Sequence, residues 1–461
     1  MSEQEKNQDL LLEKEKGLHR QLTKSQLTMI AMGGAIGTGL FLGSGFAVGL
    51  AGPGVIISYI LGVAVCLIMM SALTEMTVVH PTAGSFGVLA ENYVNPWAGY
   101  VVRYTYWIAQ VIAIGGEVTA AGVYTQFWLP GTPLVVWVVV YSAILIVVNM
   151  SNVKNFGSFE YWFAMIKVAA IVIFIILGIA YVFTGFGETP VGLQHLTNDG
   201  GFLPNGFGGV LKAMLIVVFS FYGIEVIAVT AGEAKNPEEA VPKAMKAMVF
   251  RLAAFYILAI FLVVTIVPWS QAGLGESPFV TVFKGVGIPF AAGVMNFVVL
   301  TAALSSMNTN LYLTGRMLFS LSRSGYAPKA FGTLTDKGSP RNAVLISTIG
   351  LLAAACITYF YPDSAYMSLF GISIFGGITV WIIILFTLIS FRKKRLAAGH
   401  PVGKLHMPLY PWLAVIGIIA LVAILLSCFT IGLAIAWQAG IPWLIFISIC
   451  YFVSKSRKKE A

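Results

Sequence analysis

The sequence predicts an all-α polytopic membrane protein with twelve transmembrane helices. Of its 461 residues, 58% are hydrophobic and only 10% are charged. Soluble domains carry about 25% charged residues, so this composition excludes an ordinary soluble protein. Apolar stretches long enough to span a bilayer, each needing about 20 residues, recur along the chain. These are spans 1 to 12, at 26–48, 53–78, 98–128, 133–149, 158–183, 208–231, 250–268, 286–312, 342–360, 365–390, 410–430 and 436–453.

The placement of the basic residues predicts how the chain is oriented. The net charge is +9, and lysine and arginine cluster before span 1 and after spans 6, 8, 10 and 12. All of these clusters fall on one side if the spans alternate, and the opposite loops carry almost none, with Lys212 and Lys284 as the main exceptions. By the positive-inside rule both termini are cytoplasmic, in a multi-pass plasma-membrane protein. The positive charge therefore indicates a lipid bilayer as partner and not nucleic acid.

Span 1 contains far more glycine than a continuous helix favours. Six glycines fall between residues 33 and 45, where the backbone is expected to unwind or to be approached closely. Unpaired backbone groups cost several kcal/mol in lipid, so a broken helix survives only where it lines an enclosed cavity. The freed N–H groups of a half-helix suit a carboxylate. The alternative is close helix packing, since Gly39 and Gly43 fit a small-xxx-small pattern.

Span 6 carries a second interruption, at 219–225, with Gly223, small polar groups and the carboxylate of Glu225. Because spans 1 and 6 are five apart, two blocks of five spans have opposite orientation. Matching interruptions in two halves indicate an inverted-repeat transporter with its site between them. The predicted organisation is a cytoplasmic tail (1–25), a first repeat (26–183), an external loop (184–207), a second repeat (208–390), spans 11 and 12 with their loop (391–453) and a cytoplasmic tail (454–461).

Several motifs occur in order along the chain, at 33–45, 219–237, 304–310, 314–316 and 324–329. With them the chain resembles, over residues 18–453, the bacterial amino acid permeases of the amino acid–polyamine–organocation superfamily, in its amino-acid-transporter branch. The resemblance implies a leucine-transporter-type fold, with spans 1–5 and 6–10 as inverted repeats and spans 11 and 12 appended. It implies secondary active uptake of an amino acid, coupled to protons, without a cofactor or metal.

The resemblance also assigns a substrate site to the two interruptions. The backbone of Gly37, Thr38 and Gly39 would meet the substrate carboxylate. Four carbonyls would meet its ammonium group, those of Met32, Ala35, Phe219 and Ser220. Phe219 would also close over the substrate as an aromatic gate, with ordinary core packing as the alternative.

Selectivity is expected in a side-chain pocket between spans 3, 6, 8 and 10. Its candidate residues are Ile114, Glu117, Tyr222, Asn310 and Ser368. The apolar and small residues favour a neutral amino acid, whereas Glu117 leaves a cationic amino acid or γ-aminobutyrate open. Exchange of amino acids instead of net uptake also stays open.

Charged side chains within a span are functional candidates. The resemblance gives Lys167 the place of a coupling ion, beside Gly33 and Ser305 or Ser306, with a structural lysine as the alternative. Glu225 either handles protons or bonds the freed backbone. Further charged residues near span ends are expected to be interfacial, namely Glu75, Glu91, Arg103 and Glu160. Arg316 and the 233–235 segment form either an inner gate or, by default, a solvated cluster.

Two other classes of protein fit the sequence less well. A channel needs a polar pore-lining stripe, and no span carries one. An enzyme needs convergent catalytic groups, but the five histidines lie in loops or at helix ends. The four cysteines sit within spans without CxxC spacing, so neither a disulfide nor a metal site is expected.

Overall fold

A computed structural model shows the chain as helices joined by short connections. It describes residues 22–82, 84–150, 156–185, 190–272, 276–285, 290–335, 338–400 and 405–460. Most of the predicted N-terminal tail and parts of the predicted external loop at 184–207 lie outside the described residues, as does the end of the predicted C-terminal tail.

Each predicted span overlaps a helix, but the helix Pro237–Ile266 begins 13 residues before span 7 and the helix Ala291–Arg323 ends 11 residues after span 8. The first half contains α1 (Lys24–Ala35), α2 (Ser44–Ala51), α3 (Val55–Val79), α4 (Ser85–Tyr93), α5 (Pro96–Gln126), α6 (Leu134–Met150) and α7 (Phe156–Thr184). The second half contains α8 (Gly206–Ser220), α9 (Val226–Thr230), α10 (Pro237–Ile266), α11 (Pro278–Gly285), α12 (Ala291–Arg323), α13 (Arg341–Ser347), α14 (Ile349–Phe360), α15 (Ala365–Ala397), α16 (Trp412–Leu426) and α17 (Ile435–Glu460). The short helices α4 and α11 were not predicted from the sequence.

Nine helical stretches of the described chain are long and apolar enough to cross a membrane. One of them runs through α1, α2 and α3, and two further apolar helices are shorter, Leu134–Asn149 and Gly206–Ser220. Large apolar side chains on the outer faces are exposed, for example Val147, Ile176, Phe183 and Ile419. Such a continuous apolar surface suits lipid and not water.

Local sequence signals set the starts of two central helices. The Thr23 hydroxyl accepts a hydrogen bond from the Gln26 N–H, and the Gln26 side chain accepts one from the Thr23 N–H, so a capping box begins α1. Asn95 caps α5 through the Ala98 N–H, and Pro96 takes the first helical position. These caps fix where both helices enter the bundle.

Helix α5 is the centre of the bundle, where it packs most extensively against α12 and α15. Glycines permit the closest approaches, since a Cβ on Gly350 would lie 1.9 Å from the Val111 carbonyl oxygen. A Cβ on Gly376 would lie 2.7 Å from the Ala109 Cβ. From this central position α5 reaches the two interrupted segments, α1–α2 and α8–α9, through the side chains of Glu117 and Tyr106.

The expected interfacial position of Glu75 and Arg103 is wrong, because both side chains are buried. The Glu75 carboxylate accepts two hydrogen bonds of 2.7 Å from Arg392 at the end of α15, and a third from the Met407 N–H. Arg103 pairs with Glu91 and also donates to two serine hydroxyls. Each cation is stable in the core because its partners replace the hydrogen bonds of water.

We predict that Arg392→Met destabilises the protein by about 3–5 kcal/mol, because the Glu75 carboxylate would stay buried without its charge partner. The measurement is the thermal unfolding midpoint in mild detergent. Lys393→Met is the matched control, since Lys393 is exposed one residue along the same helix. Equal midpoints for the two variants would contradict this role of the pair.

Candidate functional site

The first interruption lies between α1 and the π-helical turn Gly39–Gly43. Helix α1 ends at Ala35, where the Ile36 N–H donates to the Met32 carbonyl at 2.9 Å. The Gly37 N–H turns back to the Ala35 carbonyl at 3.1 Å. Regular helical bonding therefore lapses at 36–38, the segment that the sequence singled out.

The second interruption lies between α8 and α9, from 221 to 225. Gly223 has a φ of +103°, which side chains rarely adopt. A Cβ there would also lie 3.0 Å from the Gly34 carbonyl oxygen. The second interruption thus packs directly against the last turn of α1, just before the first interruption, and only glycine fits at the point of contact.

Glu225 bonds to the backbone freed at the second interruption. Its carboxylate accepts from the Gly223 N–H, with Oε2 at 3.1 Å, and from the Tyr106 hydroxyl of α5 at 3.1 Å. The side chain is fully buried. These contacts give Glu225 a structural task, and its predicted part in proton handling stays a prediction.

Glu117 of α5 reaches the first interruption. Its Oε1 atom accepts from the Thr38 N–H at 3.5 Å and from the Ser306 hydroxyl at 3.0 Å. Its Oε2 atom is buried and has no hydrogen-bond partner among the described residues. A carboxylate of the protein therefore already occupies the N–H that sequence reasoning gave to a substrate carboxylate.

Lys167 of α7 lies in the core and donates from Nζ to the Gly33 carbonyl at 2.6 Å. It also interacts electrostatically with Glu160 and Glu117. The predicted neighbours Ser305 and Ser306 donate their hydroxyls to those two carboxylates, at 2.8 and 3.0 Å.

The expected interfacial position of Glu160 is wrong. Its carboxylate is buried and accepts from Ser305, from the Asn308 side chain at 2.7 Å and from the Thr309 hydroxyl at 3.1 Å. Sequence reasoning missed Glu160 and Asn308 as parts of this cluster. The available signal was spacing, since Glu160 precedes Lys167 by seven residues and so lies on the same helical face.

The carbonyl groups predicted to meet an ammonium group are mostly occupied. The Ala35 oxygen accepts from the Gly37 N–H and from the Tyr256 hydroxyl, which uses both of its lone pairs. The Phe219 oxygen accepts from the Tyr222 N–H at 2.8 Å. The Ser220 hydroxyl donates to the Gly39 carbonyl at 2.9 Å, and the predicted ammonium contact of the Ser220 carbonyl stays a prediction. The Phe219 oxygen also accepts from the Phe221 N–H, so Phe219 and Ala35 offer nothing further, whereas the Met32 oxygen retains one lone pair.

Aromatic rings border the second interruption. The Phe219 ring stacks on Tyr222 at 6.0 Å between centroids and meets Phe370 at 4.4 Å. Phe219 keeps 9% of its surface accessible and Tyr222 7%, although both lie deep among helices. Asn310 keeps 5%. Ile114, by contrast, is fully buried in a separate apolar cluster with Met307 and Leu369, and Ser368 is partly exposed.

Close packing constrains the glycines at and beside the first interruption. A Cβ on Gly37 would lie 2.8 Å from Glu117 Oε1. A Cβ on Gly39 would lie 2.9 Å from the Ser220 Cα and 3.0 Å from the Phe219 ring. Gly39 therefore sets the distance between the two interrupted segments, as the packing alternative proposed.

At the end of α9 an ion pair replaces the expected solvated cluster. The Glu233 carboxylate accepts from Arg316 at 2.9 Å and from the Tyr312 hydroxyl at 2.6 Å. Leu22 pairs with the same segment through its backbone, donating to the Glu233 carbonyl and accepting from the Lys235 N–H. The segment before α1 and the end of α9 are thereby linked.

Comparison with known proteins now decides the family. The family model described as "Amino acid permease" matches residues 26–461. The chain belongs to the amino acid permease family. This confirms the resemblance drawn from the motifs, and it makes the protein a multi-pass membrane transporter of amino acids and not an enzyme.

Two relatives cover almost the whole chain. The γ-aminobutyric acid permease of Bacillus subtilis is 41% identical over 413 residues, which is 89% of this chain and 88% of that protein. The aromatic amino acid transport protein AroP of Escherichia coli O6:H1 strain CFT073 is 38% identical over 445 residues, covering 96% and 97%. Because their named substrates differ, membership in the family leaves the substrate of this chain open.

Among solved structures, the chain resembles a manganese transporter from Eremococcus coleocola. The TM-score is 0.53 at 12% identity, with 94% of each chain covered. At this identity the likeness concerns the fold alone, which is that of a transporter.

We predict that Gly39→Ala weakens amino acid binding, because the added methyl group would push apart the two interrupted segments at a cost of about 1–3 kcal/mol. Gly49→Ala is the matched control, since a Cβ at Gly49 meets nothing within 4 Å. Binding to the purified proteins and their thermal midpoints are to be compared. If Gly39→Ala binds as well as Gly49→Ala does, Gly39 does not set the geometry of the site.

Proposed function

We propose that this permease takes up a neutral amino acid across the plasma membrane by alternating access, driven by protons. The observation that carries the proposal is the contact between the two interrupted segments, with the Glu117 carboxylate on the Thr38 N–H. An amino acid is a zwitterion and needs N–H donors at one end and oxygen acceptors at the other. Two interrupted helices supply both kinds of group away from water.

The substrate carboxylate would take the place of Glu117 Oε1 at Thr38. A helix interruption with a free N–H favours an anion, and either carboxylate can satisfy it. Once displaced, the Glu117 carboxylate becomes an acceptor for the substrate ammonium, together with the remaining lone pair of the Met32 carbonyl. Substrate binding thus exchanges one carboxylate for another at the Thr38 N–H, and the Phe219 ring then closes over the bound amino acid.

The architecture proposed for this cycle is twelve transmembrane helices, with α1–α7 and α8–α15 forming two inverted repeats of five spans. Both termini would be cytoplasmic, as the placement of the basic residues favours. In that orientation the Glu233–Arg316 pair lies on the cytoplasmic side and closes the inner end of the path. The first step of inward opening would be the separation of this pair.

Proton coupling is assigned to Lys167. Its ammonium group holds the Gly33 carbonyl, only four residues before Gly37, so it links α7 to the first interruption. With the proton bound, Lys167 would hold α1 in place, and without it the link would be released. Glu160 and Glu117 flank this lysine and would balance its charge.

A second candidate substrate class has one observation in its favour. The free Oε2 atom of Glu117 is an unpaired acceptor, which suits a cationic amino acid or the distant ammonium of γ-aminobutyrate. Competition among the twenty amino acids and γ-aminobutyrate for uptake into proteoliposomes separates these substrates. Preloading the liposomes with amino acid separates exchange from net uptake. Concentration of substrate above its outside level would exclude a channel.

We predict that Lys167→Ala loses accumulation driven by a pH gradient, because the proton-dependent link to Gly33 is removed. The measurement is uptake of the best competing amino acid into proteoliposomes that are alkaline inside. Lys212→Ala is the control, since Lys212 is an exposed lysine on α8. Accumulation that requires sodium, or an Lys167→Ala protein that still concentrates substrate, would rule out this coupling.

A further inference from the structure

Gln110 lies in the middle of α5 and is fully buried. The polar group beside its amide is the Tyr106 hydroxyl, which already donates to Glu225, and no further hydrogen-bond partner meets the amide among the described residues. A buried polar group without a partner costs about 1–3 kcal/mol. Tyr106 can satisfy at most one end of the amide, so the other end, in the helix at the centre of the bundle, points to a group that binds there.

The position of Gln110 on α5 brings it to the substrate site. It follows Tyr106 by one helical turn and precedes Glu117 by two, so the three side chains share one face of the helix. Tyr106 contacts Glu225 at the second interruption, and Glu117 contacts Thr38 at the first. Gln110 therefore lies on the face of α5 that reaches both interruptions.

Tyr222 supplies a second polar atom of the same kind. Its hydroxyl is buried and has no partner among the described residues. Its ring lies 6.2 Å from the Tyr106 ring and 6.0 Å from Phe219. A Cβ on Gly377 would lie 2.6 Å from the Tyr222 ring, so this glycine leaves room for the ring to stay in place. The hydroxyl is thereby held beside the predicted aromatic gate.

We infer that Gln110 and Tyr222 form the polar end of the side-chain pocket, and that the substrate is a neutral amino acid whose side chain ends in an uncharged group that both donates and accepts hydrogen bonds. This inference rests on the proposed function and names the substrate class of the same site.

The chemistry of the pair selects this class against the others. The Gln110 side chain has an NH2 group that donates hydrogen bonds and a carbonyl oxygen that accepts them, and the Tyr222 hydroxyl can donate or accept. A carboxamide or hydroxyl group of the substrate satisfies these atoms. An aliphatic side chain would leave these polar atoms without hydrogen bonds, and a site of this kind rejects ligands that lack the polar group strongly.

Among the described residues, a charged side chain finds no free counter-ion in this part of the pocket. The Glu225 carboxylate is already held by the Gly223 N–H and the Tyr106 hydroxyl. Glu117 lies two turns away, at Thr38. The uncharged pair therefore favours asparagine, glutamine, serine or threonine over lysine and glutamate, and an acidic or basic side chain would pay for desolvation without a partner.

The test compares two variants of the full-length protein in detergent. Gln110→Leu removes the amide at nearly constant size, and Tyr222→Phe removes only the hydroxyl. Thr119→Val is the matched control, because the Thr119 hydroxyl is buried on the same helix but bonds its own Gly115 carbonyl. The affinities of L-glutamine, L-asparagine, L-serine, L-threonine, L-leucine and L-phenylalanine are measured for each protein.

The wild-type protein is expected to bind at least one of the four polar amino acids more tightly than L-leucine or L-phenylalanine. Gln110→Leu should weaken that binding about tenfold or more, and Tyr222→Phe should weaken it in the same direction. L-leucine should bind the variants as well as before or better. A preference for glutamine and asparagine would identify a carboxamide as the group that bonds Gln110 and Tyr222, and a preference for serine and threonine would identify a hydroxyl.

Three results would overturn the inference. One is a wild-type preference for L-leucine or L-phenylalanine, another is an equal change for polar and apolar amino acids, and the third is an effect of Thr119→Val as large as that of Gln110→Leu. If Gln110→Leu does not fold, Tyr222→Phe carries the comparison alone. Failure of all twenty amino acids in the uptake competition described above would instead refute the proposed function itself.

Discussion

The structure depends on one constraint, namely that backbone groups released from helical bonding inside an apolar bundle must find partners within the protein. Two segments release such groups, at 36–38 and at 221–225. Side chains from other helices meet them, with Glu117 on the Thr38 N–H, Glu225 on the Gly223 N–H, and Lys167 on the Gly33 carbonyl. The buried charges of this permease are therefore explained first as partners of the interrupted backbone.

The same constraint connects structure to transport. A partner that stabilises an interruption can be exchanged for a substrate group or changed by a proton, whereas a continuous helix offers nothing to exchange. Glu117 bonds Thr38 where a substrate carboxylate would bind. Lys167 bonds Gly33, five residues earlier in the chain, so substrate binding at Thr38 and proton binding at Lys167 can influence each other. Glu160, held by three groups of α12, connects this cluster to a helix outside the interruptions.

The sequence predicted the helices and both interruptions because apolar length and misplaced glycines are local signals. The family followed from motifs in order. The sequence does not show which distant helices contact each other. Glu160 and Arg103 were therefore expected at the membrane interface, although both side chains are buried with their partners in the bundle. Gln110 was not singled out from the sequence. A glutamine within an apolar span becomes informative only when its neighbours are known to leave part of its amide without a hydrogen bond.

The central claim is that the interruptions bind both ends of an amino acid zwitterion. The most direct measurement compares three ligands of the purified protein: the best-binding amino acid, its methyl ester and the analogue without the amino group. Because hydrogen bonds to charged groups are lost in each analogue, we expect both to bind at least about tenfold more weakly. An ester that binds as tightly as the amino acid would contradict the carboxylate site at Thr38, and equal binding of the deaminated analogue would contradict the ammonium site.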